Sequence, residues 1–463
     1  MIITRFAPSP NGYLHIGNIR IALYSWIFAK KNNGKFLLRI EDTDINDSNK
    51  IFKKNIIKDM KWLGLNWDNK VIIQSDRINI YNKIIDELLE SKLAYPCFCK
   101  INNKIFKKNK KYKKYNKFCR YKNFSSYDLK NKLHVIRFKN PINTEIILND
   151  KIYGLIKFNS NELDDLIIRR ENKLPTYNFC VVVDDIYSKI THIIRGSDHI
   201  SNTPKQINIF NAMNYKVPEY IHIPIILDKN KNKISKIKNN LNLKYFKYNG
   251  ILSKSIIHYL SSIGNSCFEN INKNVFSKKE IINNFNIYKI NKSQITFDYK
   301  KVLQINKNYL CYTDINKIYK FFRKFINLKK IKIKNDFRIL KLFRNSYFTF
   351  NEIIENNDFL YIEPKLNINL LKNNLTINNF NIINTINNIK NNIFFINKWN
   401  LDNINISLCK EINKYSIEYK HYIYKIIRIL ISGKLKTTSI SIIIYILGKN
   451  ISINRLDKIN IIK

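Results

Sequence analysis

The sequence predicts an α/β fold: a Rossmann-like parallel sheet interrupted by an inserted block and followed by an α-helical region. Three observations carry that expectation. Residues 2 to 44 read as strand, turn, helix and strand within one short unit. A second series of apolar segments resumes after residue 170, and from Cys311 to Lys463 the chain offers Ile, Asn and Lys in weak helical periodicity. At 463 residues the chain exceeds one ordinary core, so two to four domains are expected.

The elements follow in order. Ile2 to Phe6 is an apolar run, and Pro8-Ser9-Pro10-Asn11-Gly12 then supplies the turn chemistry for a tight reversal. A helix starts near His15 to Gly17, carries Ile19, Leu23, Trp26, Ile27 and Phe28, and breaks at Asn32-Asn33-Gly34. Phe36 to Ile40 is a second strand, with Glu41, Asp42 and Asp44 at its carboxyl end. Ligands of an open parallel sheet bind outside those ends, so both polar clusters fall on one rim. Asn46 to Leu63 predicts a helix stopped by Gly64, and Gln74-Ser75-Asp76-Arg77 leads into another that ends near Leu93.

A lysine-rich stretch from Tyr95 to Tyr121 is followed by strand-like alternation over 130–170, for example Val135 to Phe138 and Glu145 to Leu148. This block reads as an insertion. The second half resumes at Asp165 to Arg170 and Pro175 to Phe179. Val181-Val182-Val183 predicts a buried strand with Asp184 and Asp185 at its carboxyl end. Ile190 to Ile194 predicts another, ending in Arg195-Gly196-Ser197-Asp198-His199, and Ser201 to Pro204 opens a helix with a capping hydroxyl or amide ahead of proline. Ile223 to Leu227 is one more strand, before a lysine loop that contains Lys233-Ile234-Ser235-Lys236. Short helices are expected over Ser253 to Leu260, Lys278 to Phe285 and Asp298 to Asn306.

The rim has readable chemistry. An imidazole at a helix N-terminus, backed by free N–H groups and the positive end of the macrodipole, suits the charge on a reacting phosphate. The plainer reading is that His15 only caps the helix. Composition weighs against it: the chain holds 10 Gly where average usage of roughly 7% would give about 32. Gly12, Gly17 and Gly34 fall in the first 34 residues of a chain crowded with Ile, Lys and Asn. Glycines that resist such a drift serve the backbone, and Gly12 and Gly17 would let a nucleotide lie close. Glu41 could receive an ammonium group, Arg5 and Ser9 a carboxylate, and Arg195 offers a carboxylate clamp at a strand end. An amino acid plus ATP would use all of these. Two lysines around a serine can close over a triphosphate, a weak signal where lysine clusters abound.

Lys and Arg number 81 against 35 Asp and Glu, a formal charge of +46, which favours polyanions and salt-dependent nucleic-acid binding. A-rich codons supply lysine without selection for binding, so charge alone does not decide the matter. There is no run of 18 apolar residues, and the chain enters its first strand without a charged and apolar leader, so neither export nor membrane insertion is expected. Seven Cys, an odd number without framework spacing, fit a reducing cytoplasm. Cys97-Phe98-Cys99 with the later Cys119 suits tetrahedral Zn²⁺, and Tyr115 or Tyr121 would supply the fourth donor. The alternative is leftover thiols. Cys180, Cys267, Cys311 and Cys409 are isolated in sequence and expected in the core.

The stretch from Arg5 to Asp44 resembles the amino terminus of bacterial glutamyl-tRNA synthetases, class I enzymes. Pro8, Ser9, Pro10, Asn11, Gly12, Tyr13, Leu14, His15, Ile16, Gly17 and Asn18 stand at the HIGH-type signature, with Asn18 in place of its last histidine. Pro175 to Gln206 resembles the second half-site. Lys233, Ile234, Ser235, Lys236 and Ile237 stand at the KMSKS-type signature, which departs from the pattern at Ile237-Lys238. Asn291 to Asp298 resembles the segment that rests on the inside of the tRNA. The resemblance covers residues 1–310 and is extended by position beyond them.

It implies a two-step ligation of L-glutamate to tRNA(Glu) through an adenylate, with ATP and Mg²⁺, by a cytoplasmic monomer without membrane contact. His15, Gly17 and Lys236 would bind ATP, and His15, Lys233 and Lys236 would serve catalysis. Arg5, Ala7, Ser9, Glu41, Tyr177 and Arg195 would hold glutamate. Residues 1–94 and 171–245 would be the two catalytic halves, 95–170 the acceptor-stem insertion with a zinc site kept in only some relatives, 246–310 a stem-contact region and 311–463 the anticodon-binding region. Glutaminyl-tRNA synthetases share the half-sites but match Pro175 to Gln206 less closely. A shortened relative that modifies a tRNA base should end near residue 300. A catalytically dead tRNA-binding module is opposed by His15, Glu41, Arg195 and Lys236.

Overall fold

The computed structural model describes residues 1–43, 48–99, 115, 117–232, 234, 241–365, 369, 371 and 379–462. They form two compact units, Met1–Tyr309 and Leu310–Lys463.

In the first unit, strand β1 (Ile3–Phe6), helix α1 (Ile16–Lys31) and strand β2 (Lys35–Ile40) make the expected βαβ unit, with β1 and β2 parallel from Ile3 opposite Lys35 to Phe6 opposite Leu38. Gly34 is demanded by this packing, because a Cβ there would stand 2.2 Å from the Ile2 carbonyl oxygen. Helix α2 (Ser48–Leu63) returns the chain to a short strand, β3 (Ile72–Ile73), parallel to β2, and helix α3 (Ile78–Glu90) follows. The insertion begins at β4 (Ala94–Cys97), passes through helix α4 (Ser126–Asn131), and runs on as β5 (Val135–Phe138), β6 (Glu145–Asp150), β7 (Gly154–Asn159) and β8 (Ile167–Arg169). Strands β4, β5 and β8 form an antiparallel sheet, and β6 and β7 a hairpin. Asp165 to Arg170 thus completes the insertion's sheet.

The second half opens with a correction. Val181 to Val183 is not a strand: it lies within helix α5 (Tyr177–Tyr187), and Asp184 and Asp185 lie in its last turns. A three-residue apolar run has no measurable period, and burial on every side removes the polar face that would reveal a helix. Phe179, Cys180, Val182, Val183 and Ile186 pack against Tyr81, Ile84, Ile85 and Leu88 of α3. Strand β9 (His192–Gly196) runs parallel to β10 (Glu219–Ile223), and the Thr191 amide donates to the Ile3 carbonyl at 3.0 Å, joining the two half-folds. The expected strand over Ile223 to Leu227 is two, since Pro224 lacks an N–H and separates β10 from β11 (Ile226–Leu227).

Helix α6 (Thr203–Ala212) starts where predicted, with Pro204 in its first turn, but Asn202 makes no side-chain cap. The Thr203 hydroxyl is engaged by Arg195 instead. The short helices are also present, as Ser253–Ser262, Lys278–Asn284 and Tyr299–Tyr312.

The second unit is helical, including Ile315–Lys329, Asn379–Phe394, Leu401–Ile412, Ile417–Ser432 and Ile440–Leu447. Its core is built from isoleucine: Ile386, Ile389, Ile393, Ile404, Ile412, Ile423, Ile426 and Ile427 are fully buried. In Ile417–Ser432 the buried Ile423, Ile426, Ile427 and Leu430 fall at helical spacing. Gly433 closes that helix at φ 70°, where a side chain would be strained. Among the described residues no helix is long and apolar enough to cross a membrane.

Candidate active site

A cleft of about 560 Å³ opens at the carboxyl ends of β1 and β9. It is lined by Arg5, Ala7, Ser9, Gly12, His15, Gly17 and Glu41 from the first half and by Tyr177, Arg195, Asp198 and His199 from the second. Pro8, Asn11, Tyr13, Leu14, Asn18 and Ile234 also reach it, whereas Pro10 and Ile16 are buried and do not line it. Thus every predicted amino-acid contact comes to one cavity. Lys233, Ser235, Lys236, Ile237 and Asp44 lie outside the described residues. The flanks of the lysine segment are placed at His15: Ile234 is buried in the cleft wall, the Ile16 amide donates to the Leu241 carbonyl at 3.3 Å, and the Leu243 amide donates to the Leu14 carbonyl at 2.9 Å.

His15 caps α1 and lines the cleft. It is the N-cap of α1: Nδ1 accepts from the Asn18 amide at 3.3 Å, and the Asn18 side-chain oxygen accepts from the His15 amide at 3.4 Å. Asn18 therefore closes a capping box that a histidine could not close in the same way. Burial drives the His15 pKa down to about 4 against a small opposing pull from Asp198, so the ring is neutral at physiological pH. With Nδ1 as acceptor, the ring proton sits on Nε2, a donor at a helix N-terminus. Among the described residues the Gly17 amide is the first-turn donor left without a partner. Gly17 is required by the imidazole, since a Cβ there would stand 3.0 Å from two atoms of the His15 ring. At Gly12 a Cβ would meet nothing within 4 Å, so its demand comes from what enters the cleft.

The carboxylate cluster is more ordered than its sequence suggested. Asp42 turns to the Ser75 amide at 2.8 Å, the Ser75 hydroxyl and Lys53, a packing role. Glu41 pairs with Arg39 Nη2 at 3.2 Å. Asp185 holds two arginines, Arg5 Nε at 3.1 Å and Arg39 Nη1 at 2.5 Å. Asp184 receives Arg77 Nε at 2.7 Å, the Tyr81 hydroxyl and Gln74. Burial opposes ionisation of Asp185, but Arg39 and Arg5 outweigh it and hold its pKa below the usual carboxylate range. Glu41 goes the other way, because burial exceeds the help it draws from Arg39 and Arg5. On this side three carboxylates, Glu41, Asp184 and Asp185, face three guanidinium groups, Arg5, Arg39 and Arg77.

Arg195 stands apart from that balance. It is 6 % exposed and bonded to three neutral acceptors: Nε to His222 Nε2 at 3.1 Å, Nη1 to Gln206 Oε1 at 2.7 Å and Nη2 to Thr203 Oγ1 at 2.7 Å. Its plane lies over the Tyr220 ring, 5.1 Å from the centroid. Among the described residues no carboxylate comes within ion-pair distance of it. A guanidinium has five N–H donors, so three bonds leave two. A buried charge with two donors to spare is a receptor for a carboxylate. Sequence reasoning missed Arg39, Asp185, His222 and Thr203. The adjacent pair Asp184-Asp185 was visible, but reading it as a strand end hid its role as counter-charge.

At the insertion, the sulfurs of Cys97, Cys99 and Cys119 lie within 4.8 Å of one another, and the Tyr115 hydroxyl is 3.2 Å from the Cys97 sulfur. Tyr121 is exposed, its ring beside Arg120 and Lys139. Tetrahedral Zn–S bonds of ~2.3 Å set sulfurs about 3.8 Å apart, so the trio fits zinc with little adjustment, and Tyr115 is the tyrosine placed to complete it.

The helix N-terminus at His15 and Gly17, Glu41 from the first half and Arg195 from the second thus line one cleft of a split parallel sheet. Residues 1–304 match the family model of the class I tRNA synthetases (E and Q), catalytic domain, and residues 312–460 match an anticodon binding domain. The chain belongs to the class I tRNA synthetase family for glutamate and glutamine. It is 41% identical over 464 residues to a glutamate–tRNA ligase of Buchnera aphidicola subsp. Acyrthosiphon pisum (strain APS), covering 98% of each chain. It is 42% identical over 461 residues to that of Wigglesworthia glossinidia brevipalpis, covering 96% of this chain and 94% of the other. A crystal structure of a glutamate tRNA ligase from Elizabethkingia meningosepticum CCUG26117, in complex with its amino acid, superposes at a TM-score of 0.81 with 25% identity over 100% of both chains.

Proposed function

We propose that this protein is a glutamate–tRNA ligase that joins L-glutamate to the 3′-terminal adenosine of tRNA(Glu) for translation, acting in the cytoplasm as a monomer. The observation that carries the amino-acid choice is Arg195, a buried cation without a carboxylate partner among the described residues, in the same cleft as Glu41.

In the first step a glutamate α-carboxylate oxygen attacks the α-phosphorus of ATP. The bond to the bridging oxygen breaks, and pyrophosphate leaves with that electron pair. A carboxylate is already a nucleophile, so positioning and charge neutralisation suffice and no general base is needed. His15 Nε2–H and the Gly17 amide donate to the phosphates, while Lys233 and Lys236 close over them. Mg²⁺ carried by the triphosphate would supply further charge neutralisation. Arg195 and Arg5 receive the side-chain carboxylate, Glu41 the ammonium group, and Ala7, Ser9 and Tyr177 shape the walls.

In the second step the terminal ribose hydroxyl attacks the glutamyl carbonyl carbon, the bond from that carbon to the phosphate oxygen breaks, and AMP departs with the hydroxyl proton taken up by its phosphate. Glutamine would set an amide against Arg195 and leave its charge unpaired, which is the basis for rejecting it. Residues 95–170 would hold the acceptor end with Cys97, Cys99, Cys119 and Tyr115 around a structural zinc, 246–310 the stem and 311–463 the anticodon.

The test is pyrophosphate exchange with tRNA present, followed by mass spectrometry of the aminoacyl ester on tRNA(Glu) and on tRNA(Gln). Glutamate-dependent exchange and a glutamyl ester on tRNA(Glu) are expected. Exchange with glutamine, or none with either amino acid, contradicts the reading.

A further inference from the structure

Behind Arg195 lies a chain of buried bonds that reaches into the inserted hairpin. Asp150, at the end of β6, is fully engaged. Its Oδ1 accepts from the Ile152 and Tyr153 amides at 2.9 and 2.8 Å, and its Oδ2 accepts from the His222 amide at 3.0 Å and from His222 Nδ1 at 2.7 Å. The hairpin is stitched to β10 at the same place, where the Lys151 amide donates to the Tyr220 carbonyl at 3.1 Å. The Asp150 and His222 side chains are fully buried. Against a carboxylate, Nδ1 of His222 must be the protonated nitrogen. Nε2 is then a lone-pair acceptor, and it takes the Arg195 Nε–H.

This arrangement does something a direct carboxylate could not. It orients the guanidinium through Nε without placing a counter-charge against it, since the Asp150 carboxylate stands one imidazole away. The charge of Arg195 is left for the ligand.

We infer that Asp150 and His222 are positioning residues that fix the Arg195 fork for the substrate carboxylate, an inference that rests on the glutamate reading of the cleft. In Asp150→Asn the amide oxygen stays on the Ile152 and Tyr153 N–H groups, so the NH₂ faces His222 Nδ1 and cannot accept from the His222 backbone N–H. The ring proton must then move to Nε2, where it meets the Arg195 Nε–H donor to donor. A glutamine at 222 can present a carbonyl oxygen to Arg195 without help from residue 150.

The experiment has two readouts. Ring ¹⁵N NMR of the full-length protein should show His222 protonated on Nδ1 in the wild type and on Nε2 in Asp150→Asn. Pyrophosphate exchange should show the KM for glutamate raised at least about tenfold in Asp150→Asn, the order expected for a lost buried charge-assisted hydrogen bond, with the KM for ATP unchanged. Part of that loss should be recovered in the double variant D150N/H222Q. An Nε2–H tautomer in the wild type overturns the inference even if no variant folds, as do equal rises in both KM values or a double variant no better than the single. A wild type that shows the Nδ1–H tautomer yet does not exchange with glutamate refutes the reading of the cleft while leaving the relay in place.

Discussion

The two walls of the cleft hold arginines in opposite ways. On the first-half wall Arg5 and Arg39 share Asp185, and Glu41 is matched by Arg39. On the second-half wall Arg195 is bonded, among the described residues, to His222, Gln206 and Thr203 alone. The first arrangement matches each guanidinium with a carboxylate of its own wall. The second keeps a charge uncompensated at a cost in desolvation and so has affinity to give to an anion. Which arginine selects the substrate is thus decided by what surrounds it.

The comparison can be broken by substitution. The largest effect on recognition of glutamate is expected from Arg195→Gln, which should lower kcat/KM for glutamate by roughly 30-fold or more in pyrophosphate exchange, since loss of one partner of a buried charged hydrogen bond costs about 2–5 kcal/mol. Stability should change much less than in the next variant, because no anion is orphaned.

Asp185→Ala should do the reverse. It leaves Arg5 and Arg39 buried without their shared carboxylate, and chemical denaturation should show a loss of about 3–5 kcal/mol. The same pairing sets a pH sign: the Asp185 pKa is depressed in the folded state, so its contribution is full above the unfolded value of about 3.9 and is lost as pH falls through the lower folded value.

His15 separates cap from catalysis. His15→Asn keeps an N-cap and should melt close to the wild type, whereas His15→Ala should lose about 1 kcal/mol; both should lose exchange activity. Exchange retained in His15→Asn would leave His15 a cap alone. Because the His15 pKa lies near 4, its protonation should not dim the rate between pH 6 and 8.

The smallest effect is expected from Gly17→Ala, which crowds the His15 ring at 3.0 Å and should lower kcat without changing the KM for glutamate.

Much of this site was legible in the sequence because short-range chemistry encoded it. The turn Pro8 to Gly12, the helix start at His15 and the strand end at Glu41 lie within one βαβ unit, where spacing dictates placement. Arg195 was legible for the same reason, at a strand end before Pro204. The counter-charges were not. Asp185 meets Arg5 across 180 residues of chain, and Asp150 meets His222 across 72. Such pairings have no local signature, and the Val181 to Val183 run hid the helix that carries Asp185. In the helical unit a uniform supply of isoleucine buries well but blurs the polar face that would mark each helix, so periodicity gave the class of structure without its elements.

The most direct test of the account is the ratio of kcat/KM for glutamate to that for glutamine, measured by pyrophosphate exchange with tRNA in the wild type and in Arg195→Gln. An uncompensated Arg195 predicts a ratio of roughly 10⁴ or more in the wild type that collapses in the variant. A ratio that survives the loss of Arg195 would contradict it.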